Sequence, residues 1–518
     1  MTMQNKALFI VSTLVILTII AIHMESLLAI IRPGNEIWIH IRQHLLLDYT
    51  ITTVSVVTLS MIFSGAIGTI AAYFVSCFNF PFRKVFSVFL YLPLSIPPYI
   101  MAYVYRDILG HFGLFYNTFR INANVSPFWS AVIVFTLSLF PYVYIGVKGF
   151  ISHGMTSHIE NARLLKKTEA VIFFSIIIPI AKTSILTGMI LTGLEVMGDF
   201  AASHYLGINT FATAIFRSWI VFRDFDSALR LSGFAVISVF LLLIMKNLLM
   251  RFKYLSATNA KSTQVSRKNL SGIFTTIPII LLFSIILFSF VLPLHRLLTW
   301  AIIAYRNVRY TLMLEMIFNS IVIPFLVTII ILILAFILAT YTRTSSRLLA
   351  VFYGKVTLVS YALPGAVVAM VTLFFFIRID TFVPFALTTS IVVLITGYVI
   401  RFLGLAYENI EDGYRKTGLR HHEASRTFGK NYYKTIIKVD LPILRPFIIS
   451  SMALVFIDLV RELPITLVLR PFNFHTLATQ VYQYASDEML PESSIPSLII
   501  IAISIVFILI IMRNKRSE

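Results

Sequence analysis

The feature that most constrains this chain is a succession of apolar segments, each long enough to cross a lipid bilayer. A span needs about 20 consecutive apolar residues. Backbone polar groups cannot stay unpaired in lipid, so each such segment is predicted to be a helix. Candidate segments lie at residues 7–31, 50–77, 86–106, 128–150, 180–205, 227–249, 272–294, 318–341, 348–376, 381–405, 443–469 and 493–512. The sequence therefore predicts an all-α polytopic membrane protein with about 12 transmembrane helices.

Internal prolines interrupt several of these segments. Pro97 and Pro98 lie in the third segment, Pro141 in the fourth and Pro364 in the ninth. Proline lacks a backbone N–H and clashes with the preceding helical turn. These three spans are therefore predicted to be broken or kinked, with neighbouring helices satisfying the freed backbone groups.

Composition and charge exclude several classes of protein. The chain is 58% hydrophobic, which is more than a soluble domain needs. Its net charge of +19 is scattered between apolar runs instead of being gathered on a basic domain, so we expect no nucleic-acid partner. Cys77 is the only cysteine, which excludes intrachain disulfides and thiolate metal clusters.

The lysines predict the orientation in the membrane. If the N-terminus is cytoplasmic, all sixteen lysines fall on the cytoplasmic side or at its membrane edge. Cytoplasmic loops carry an excess of Lys and Arg in membrane proteins. The first apolar run, 7–31, is longer than a signal-peptide core and is interpreted as an uncleaved first helix. Both termini are thus predicted to be cytoplasmic, and the chain is expected to be in contact with membrane lipid throughout.

An internal duplication divides the chain. A polar, basic block at residues 160–179 recurs at residues 423–442, which is an offset of 263 residues. The sequence predicts a first half at 1–250 with spans 1–6 and a polar loop at about 152–180. A cytoplasmic linker at 251–271 follows. A second half at 272–518 has spans 7–12 and a polar loop at about 412–442. Six spans per half give two parallel repeats.

The repeated block contains an acid, small residues, a glycine and a closing proline at fixed spacing. The second copy has Glu423, Ala424, Ser425, Gly429 and Pro442; the first has Glu160, Ala162 and Pro179, with Lys166 at the position of the glycine. This pattern resembles the EAA motif of ABC importer permeases, and so the whole chain resembles a type I permease of a binding-protein-dependent transport system.

This resemblance implies that each block docks a cytoplasmic ABC ATPase, so the permease would bind two copies. The small residues are expected to admit the partner closely, the glycine to let the chain turn, and the proline to start the next span. Because Lys166 replaces the glycine, we expect the first copy to turn differently and the two contacts to be unequal. An alternative interpretation is an amphipathic helix held by lysines on anionic lipid.

The chain is not expected to be an enzyme. It contains no G-x-x-x-x-G-K-[ST] sequence, and no polar segment is long enough to form an ATPase domain. ATP and magnesium are therefore expected on the partner subunit, with no cofactor bound by this chain.

Two further segments resemble fused two-half permeases for ferric iron. They are LEVMGDFAASHYLGINTFATAIFRSW at 194–219 and RELPITLVLRPFNFHTLATQVYQYAS at 461–486. The resemblance implies an iron-transport permease of the bacterial cell inner membrane, with Fe3+ as cargo and a periplasmic substrate-binding protein as partner. Thiamine, phosphonate or polyamine remain alternative cargoes. A secondary transporter driven by an ion gradient is an alternative of another class.

Charged residues inside two predicted spans suggest a translocation pathway. Glu195 and Asp199 lie in the fifth span, and Asp458 and Glu462 repeat them 263 residues later, with Arg461 between. A charge at the bilayer centre costs about 2.5–3.5 kcal/mol on insertion scales. We hypothesise that the four acids line a polar route and contact Fe3+ transiently, since hard cations prefer carboxylate oxygen. Alternatively, Arg461 neutralises them in a cluster that holds the halves together.

Overall fold

The computed structural model describes residues 6–110, 113, 116, 120, 125–250, 267–307, 309–384, 386–418 and 420–514. Those residues are almost entirely helical, as the apolar pattern predicts. Of the predicted linker, residues 251–266 lie outside the described residues.

Up to residue 250 the described helices follow one another with short connections. Two π-helical turns, Ile41–Leu45 and Ile172–Ile177, join neighbouring helices, and a 3-10 turn, Leu92–Ser95, lies before the fifth. The strand β1 is Phe78–Asn79. The helices are α1 Lys6–Ile31, α2 Glu36–His40, α3 Leu46–Cys77, α4 Arg83–Phe89, α5 Pro98–Leu109, α6 Pro127–Gly154, α7 Thr156–Leu164, α8 Glu169–Val171, α9 Ile178–Gly198, α10 Ala201–Leu206, α11 Phe211–Ile220 and α12 Phe225–Met250.

After residue 266 the same kinds of element recur. The strand β2 is Lys268–Asn269, and π-helical turns at Leu287–Val291 and Ile436–Asp440 join neighbouring helices. Short 3-10 turns lie at Tyr305–Asn307 and Leu387–Thr389. The helices are α13 Ile273–Ile286, α14 Leu292–Ala304, α15 Tyr310–Thr344, α16 Arg347–Ala362, α17 Gly365–Asp380, α18 Ile391–Thr417, α19 Arg420–Thr427, α20 Tyr432–Thr435, α21 Leu441–Ile443, α22 Arg445–Arg461, α23 Pro464–Leu469, α24 Leu477–Ser486 and α25 Leu490–Asn514.

The predicted number of membrane spans is confirmed once bent helices are counted. Within the described residues, nine helical segments are long and apolar enough to cross a membrane, and three bent pairs bring the number to twelve. The bends are 96° between Arg83–Ser95 and Pro98–Leu109, 108° between Leu348–Ala362 and Gly365–Asp380, and 71° between Tyr432–Ile443 and Arg445–Arg461.

Only some of the breaks predicted from prolines are present. The third and ninth spans are broken at Pro97 and Pro364, as expected. The fourth span is an unbroken helix with Pro141 inside it, because a single lost backbone hydrogen bond can be tolerated in a packed helix. The eleventh span bends next to Pro446, where the fifth span has Thr183 and stays continuous from Glu169 to Gly198.

Some predicted boundaries are wrong in the structure. The tenth span is Ile391–Thr417 instead of 381–405, and it carries its polar last turns beyond the apolar segment. The prolines Pro179 and Pro442 do not start the following spans. Those spans begin ten residues earlier, at Glu169 and Tyr432, and a π-helical turn precedes each proline. Apolar content alone misses such starts, because the first helical turns lie in polar sequence.

The two halves are interleaved instead of standing side by side. The first helix, α1, packs on α12 of its own half and also on α15, α16 and α17 of the other. Thr13 Oγ1 lies 2.9 Å from the Tyr353 hydroxyl across this contact. In the reverse direction, Arg296 of α14 donates to both carboxylate oxygens of Asp107 at 2.7 and 3.1 Å. The first span of each half therefore packs against the other half.

The described end of the linker is fixed to the first half. Strand β2 pairs in parallel with β1, with Phe78 opposite Lys268 and Asn79 opposite Asn269. The Asn79 side-chain amide donates to Asn269 Oδ1 at 2.9 Å. Cys77 lies fully buried just before β1, as a small apolar side chain would.

Candidate functional sites

The five charged residues predicted inside the spans line a single cavity. Glu195 lies in the last turn of α9, and Asp199 directly follows that helix. Asp458 and Arg461 lie in the last turn of α22, and Glu462 directly follows it. All five border a cavity of about 120 Å³ between the two halves. The 263-residue offset thus relates the two walls of this central cavity.

Two of the acids cap the short helices that follow them. Asp199 accepts a hydrogen bond from the Ala202 backbone N–H at 2.7 Å, at the start of α10. Glu462 accepts one from the Ile465 backbone N–H at 3.0 Å, at the start of α23. A carboxylate at a helix N-terminus satisfies an otherwise unpaired N–H and is favoured by the helix dipole. Asp199 therefore caps the junction between α9 and α10, and Glu462 caps the junction between α22 and α23.

Arg461 ties the two halves together at the cavity. Its guanidinium forms an ion pair with Asp458 one turn earlier in the same helix. It also donates from Nη1 to the Leu94 backbone carbonyl, at 2.7 Å, in the first half. The matching position in the first half is Gly198, so this tie is made from one side only.

Glu195 is the acid that remains available. Within the described part of the chain, its carboxylate makes no hydrogen bond and no ion pair at the usual distances. It borders the cavity beside Tyr142 and Tyr361. A carboxylate exposed to a central cavity without a partner is suited to receive a ligand.

Sequence reasoning missed one charged residue of the cavity lining, Arg401. It lies in α18, and its Nε is 3.9 Å from Glu462 Oε2. The signal was present, because a lone arginine within an apolar span is a candidate functional residue. With Arg401 and Arg461, the cavity holds two guanidinium groups beside four carboxyl groups.

The four acids do not form a closed metal centre in this conformation. Among the described residues, no three His, Cys, Asp or Glu side chains come close enough to hold a metal ion together. Two of the acids are occupied as helix caps and one by Arg461. The predicted metal contact of Glu195, Asp199, Asp458 and Glu462 therefore stays a prediction for a passing ion.

The repeated polar blocks form two short helices, α7 and α19, which we call the coupling helices. Ala162 and Ser425, at matching positions, are buried against the chain itself with 5% and 8% exposure. The prediction that these small residues admit a partner is wrong for this pair, because they allow each helix to pack on its own half. Glu423 and Ala424 are exposed, and Glu160 is half-buried.

Both coupling helices end in the same turn. Lys166 has a φ of 53° and Gly429 a φ of 78°, so both adopt the left-handed conformation. Lys167 N donates to Ala162 O at 3.1 Å, and Lys430 N to Ser425 O at 3.3 Å. These are the long hydrogen bonds of a Schellman cap. The expectation that Lys166 would change the turn is wrong, although a side chain at this position carries strain.

This strain leads to a stability prediction for the coupling helices. Lys166→Gly removes a side chain from a left-handed residue, and Gly429→Lys introduces one, at a cost of about 1 kcal/mol. We expect Gly429→Lys to lower the thermal unfolding midpoint of the purified chain and Lys166→Gly to leave it equal or higher. Lys167→Gly, next to the turn, is the control. A fall of the midpoint in Lys166→Gly beyond that in the control would contradict the argument.

Each coupling helix is anchored by its own polar cluster. Beside α7, Glu169 accepts from the Tyr73 hydroxyl at 2.9 Å and pairs with Arg163 at 3.4 Å and with Lys268 at 3.2 Å. Lys268 belongs to β2, so the linker end takes part in this cluster.

Beside α19 the anchor is Asp440. It lies 2.7 Å from His422 Nδ1 and 3.4 Å from Arg343 Nη1. The 263-residue offset does not relate Asp440 to Glu169, and sequence reasoning identified neither anchor. The two coupling helices thus share a turn but differ in what holds them.

The fold and these sites together define a class. The described residues form up to twelve spans in two repeats, with a charged central cavity and one short polar helix per repeat, which is the arrangement expected of a membrane transport permease. Residues 64–255 and 331–514 each match the family described as binding-protein-dependent transport system inner membrane component. The chain therefore belongs to that family, and the predicted type I permease fold is confirmed.

Curated relatives agree with this membership. The chain is 24% identical over 449 residues to the Fe(3+)-transport system permease protein FbpB 2 of Haemophilus influenzae. The aligned region covers 85% of this chain and 84% of that protein. It is 26% identical over 157 residues to the molybdenum transport system permease protein ModB of Escherichia coli K12, covering 29% of this chain and 67% of that protein. The resemblance to ferric-iron permeases is confirmed at the level of the family and of this relative.

Proposed function

We propose that this chain is the permease subunit of an importer that moves ferric iron from a periplasmic binding protein to the cytoplasm. The iron-permease relative supports this cargo, since it matches 85% of the chain, whereas the molybdenum permeases match 29%. ATP is hydrolysed by two copies of a separate subunit. The permease lies in the bacterial inner membrane with both termini cytoplasmic.

The observation that carries the iron proposal is the available carboxylate of Glu195 in the central cavity. Fe3+ is a hard cation that prefers oxygen ligands. Four carboxyl groups and two guanidinium groups line the cavity, which leaves two negative charges in excess when all are ionised. Such a surplus attracts a cation into a route enclosed by protein.

The coupling helices are the proposed docking points for the ATPase subunits. Glu423 and Ala424 are exposed on α19, and Glu160 lies at the matching position of Glu423 on α7. Around them, Ala162, Ser425, Lys166, Gly429, Pro179 and Pro442 shape the helices and their connections to the following spans. ATP binding brings the two ATPases together and rocks the halves around the cavity.

Uptake of radiolabelled iron tests the cargo. In cells that lack this chain, we expect ferric uptake at low external iron to fall to the background of energy-depleted cells, because the cavity is the route. Reintroduction of the gene should restore it. Labelled molybdate and thiamine serve as controls and should enter equally with and without the chain. If molybdate or thiamine uptake falls while iron uptake persists, the iron proposal is wrong.

A further inference from the structure

We propose that the central cavity receives its metal ion together with an oxyanion, and that Arg401 is the residue that binds the oxyanion. The metal half of this inference rests on the proposed function. The oxyanion half rests on the charges of the cavity and on the unsatisfied donors of one arginine.

Most of the charged groups that border the cavity are already engaged by other groups of the protein. Asp199 and Glu462 accept backbone hydrogen bonds at the starts of α10 and α23. Asp458 is paired with Arg461, which also binds the Leu94 carbonyl. Two groups of opposite sign remain without a close hydrogen-bonding partner among the described residues of the cavity. They are the Glu195 carboxylate and, on Arg401, the nitrogens Nε and Nη1.

Arg401 carries donors that nothing in the described chain accepts. Its Nε and Nη1 are buried and have no hydrogen-bond partner. Its nearest carboxylate, that of Glu462, lies 3.9 Å from Nε, beyond the distance of a hydrogen bond. Buried unsatisfied donors are costly and rare in folded proteins. A ligand with acceptor oxygens in the cavity would satisfy them.

The wall around Arg401 leaves room for the guanidinium. A Cβ added at Gly365 would lie 2.3 Å from Arg401 Nη1 and 2.8 Å from Glu462 Oε1, so a side chain there would push both groups aside. Gly365 is also the first residue of α17, whose N-terminal end borders the same arginine. A helix N-terminus adds partial positive charge at this wall. Arg401 and this helix end therefore place positive charge at one wall of the cavity, with Glu462 3.9 Å away from the guanidinium.

The charge of a bare trivalent cation is complementary to Glu195 but not to Arg401. It would be attracted by Glu195 and repelled by Arg401. A metal ion that carries an oxyanion presents a positive and a negative part at once. The planar guanidinium fork matches two oxygens of a phosphate-like or carboxylate-like group. Glu195 then faces the metal and Arg401 the oxyanion, and the complex carries less charge into the membrane than the ion alone.

Equilibrium binding of two radiolabelled probes, ferric ion and inorganic phosphate, to the purified full chain tests this. In the wild-type protein, ferric ion is expected to increase phosphate binding, and phosphate to increase iron binding by the same factor, since coupling between sites is reciprocal. Arg401→Gln should weaken phosphate binding in the presence of iron by roughly tenfold, which corresponds to one lost charge-assisted contact. Arg513→Gln, an exposed arginine in α25, is the matched control and should bind as the wild type does.

Arg401→Lys keeps the test valid if Arg401→Gln does not fold. It retains the charge without the fork, so several-fold weaker phosphate binding is expected. Wild-type affinity for phosphate in Arg401→Lys, or in a folded Arg401→Gln, would overturn the inference. So would the absence of phosphate binding by the wild-type chain when iron is bound.

The same measurements separate this inference from the proposed function. If iron binds and Glu195→Gln weakens its binding, while phosphate does not bind at all, the oxyanion inference fails and the iron proposal stands. If phosphate binds through Arg401 without iron, and iron does not bind, both the iron proposal and the joint cargo fail. The cavity would then be a site for an anion alone.

Discussion

Replacing Glu160 and Glu423 together by arginine is expected to separate the permease from its ATPase subunits. The two acids occupy matching positions on the coupling helices, and Glu423 is exposed. A reversed charge within a contact costs several kcal/mol. Because two contacts act together, each single variant should retain part of the complex and the double variant at least tenfold less of it. ATP-driven uptake should fall with it.

The measurement is co-purification of the ATPase with tagged permease, followed by uptake in the same cells. Glu488→Arg is the control for co-purification, since this exposed acid lies on the predicted outer side. An intact assembly in the double variant, with normal ATP-driven uptake, would refute the docking proposal. The coupling helices would then be better explained as membrane-surface helices held on anionic lipid.

The duplication made much of the architecture predictable from the sequence. The offset of 263 residues was read from the polar blocks, yet it also relates structural boundaries far from them. The fifth span, Glu169–Gly198, and the eleventh, Tyr432–Arg461, begin and end at matching residues. The short helices α10 and α23 match at the same offset. The positions of spans and short helices in one half can be predicted from the other half, because both halves repeat the same hydropathy and spacing.

The bends were predictable only in part. Proline removes a hydrogen bond wherever it lies, but the helix breaks only where the surroundings stabilise the broken form. Pro141 lies inside an unbroken helix, whereas Pro364 lies at a bend of 108°. The bend near Pro446 has no counterpart at Thr183 in the first half. The coupling helices therefore precede one continuous span in the first half and one bent span in the second, a difference that the repeated sequence pattern does not show.

The partners of individual side chains were the least predictable feature. The sequence placed Glu195 and Asp458 within spans. It did not indicate which acids would accept hydrogen bonds from helix N-termini. It also missed Arg401, Glu169 and Asp440, each of which acts through residues distant in sequence. Such contacts depend on the rotation and tilt of each helix, which neighbouring helices determine. Composition and spacing do not contain that information.

Asp458 and Glu195 occupy matching positions, yet their neutral variants are expected to behave differently. Asp458→Asn leaves Arg461 inside the membrane domain without its carboxylate. Removing one member of a buried ion pair costs about 3–5 kcal/mol, so the yield of folded permease and its thermal unfolding midpoint should both fall. Glu195→Gln removes a carboxylate that has no bonded partner among the described residues. We therefore expect normal expression and a normal midpoint, with ferric uptake at low iron lost.

The double variant Asp458→Asn/Arg461→Gln controls for the ion pair. It removes both charges, so it should recover much of the stability lost in Asp458→Asn, because no uncompensated cation remains. A wild-type midpoint in Asp458→Asn would show that the pair does not hold this wall of the cavity. Normal uptake by a normally expressed Glu195→Gln would exclude an essential ion contact. Glu195 would then belong, like Asp199 and Glu462, to the framework around the cavity, and the iron route would have to depend on other groups.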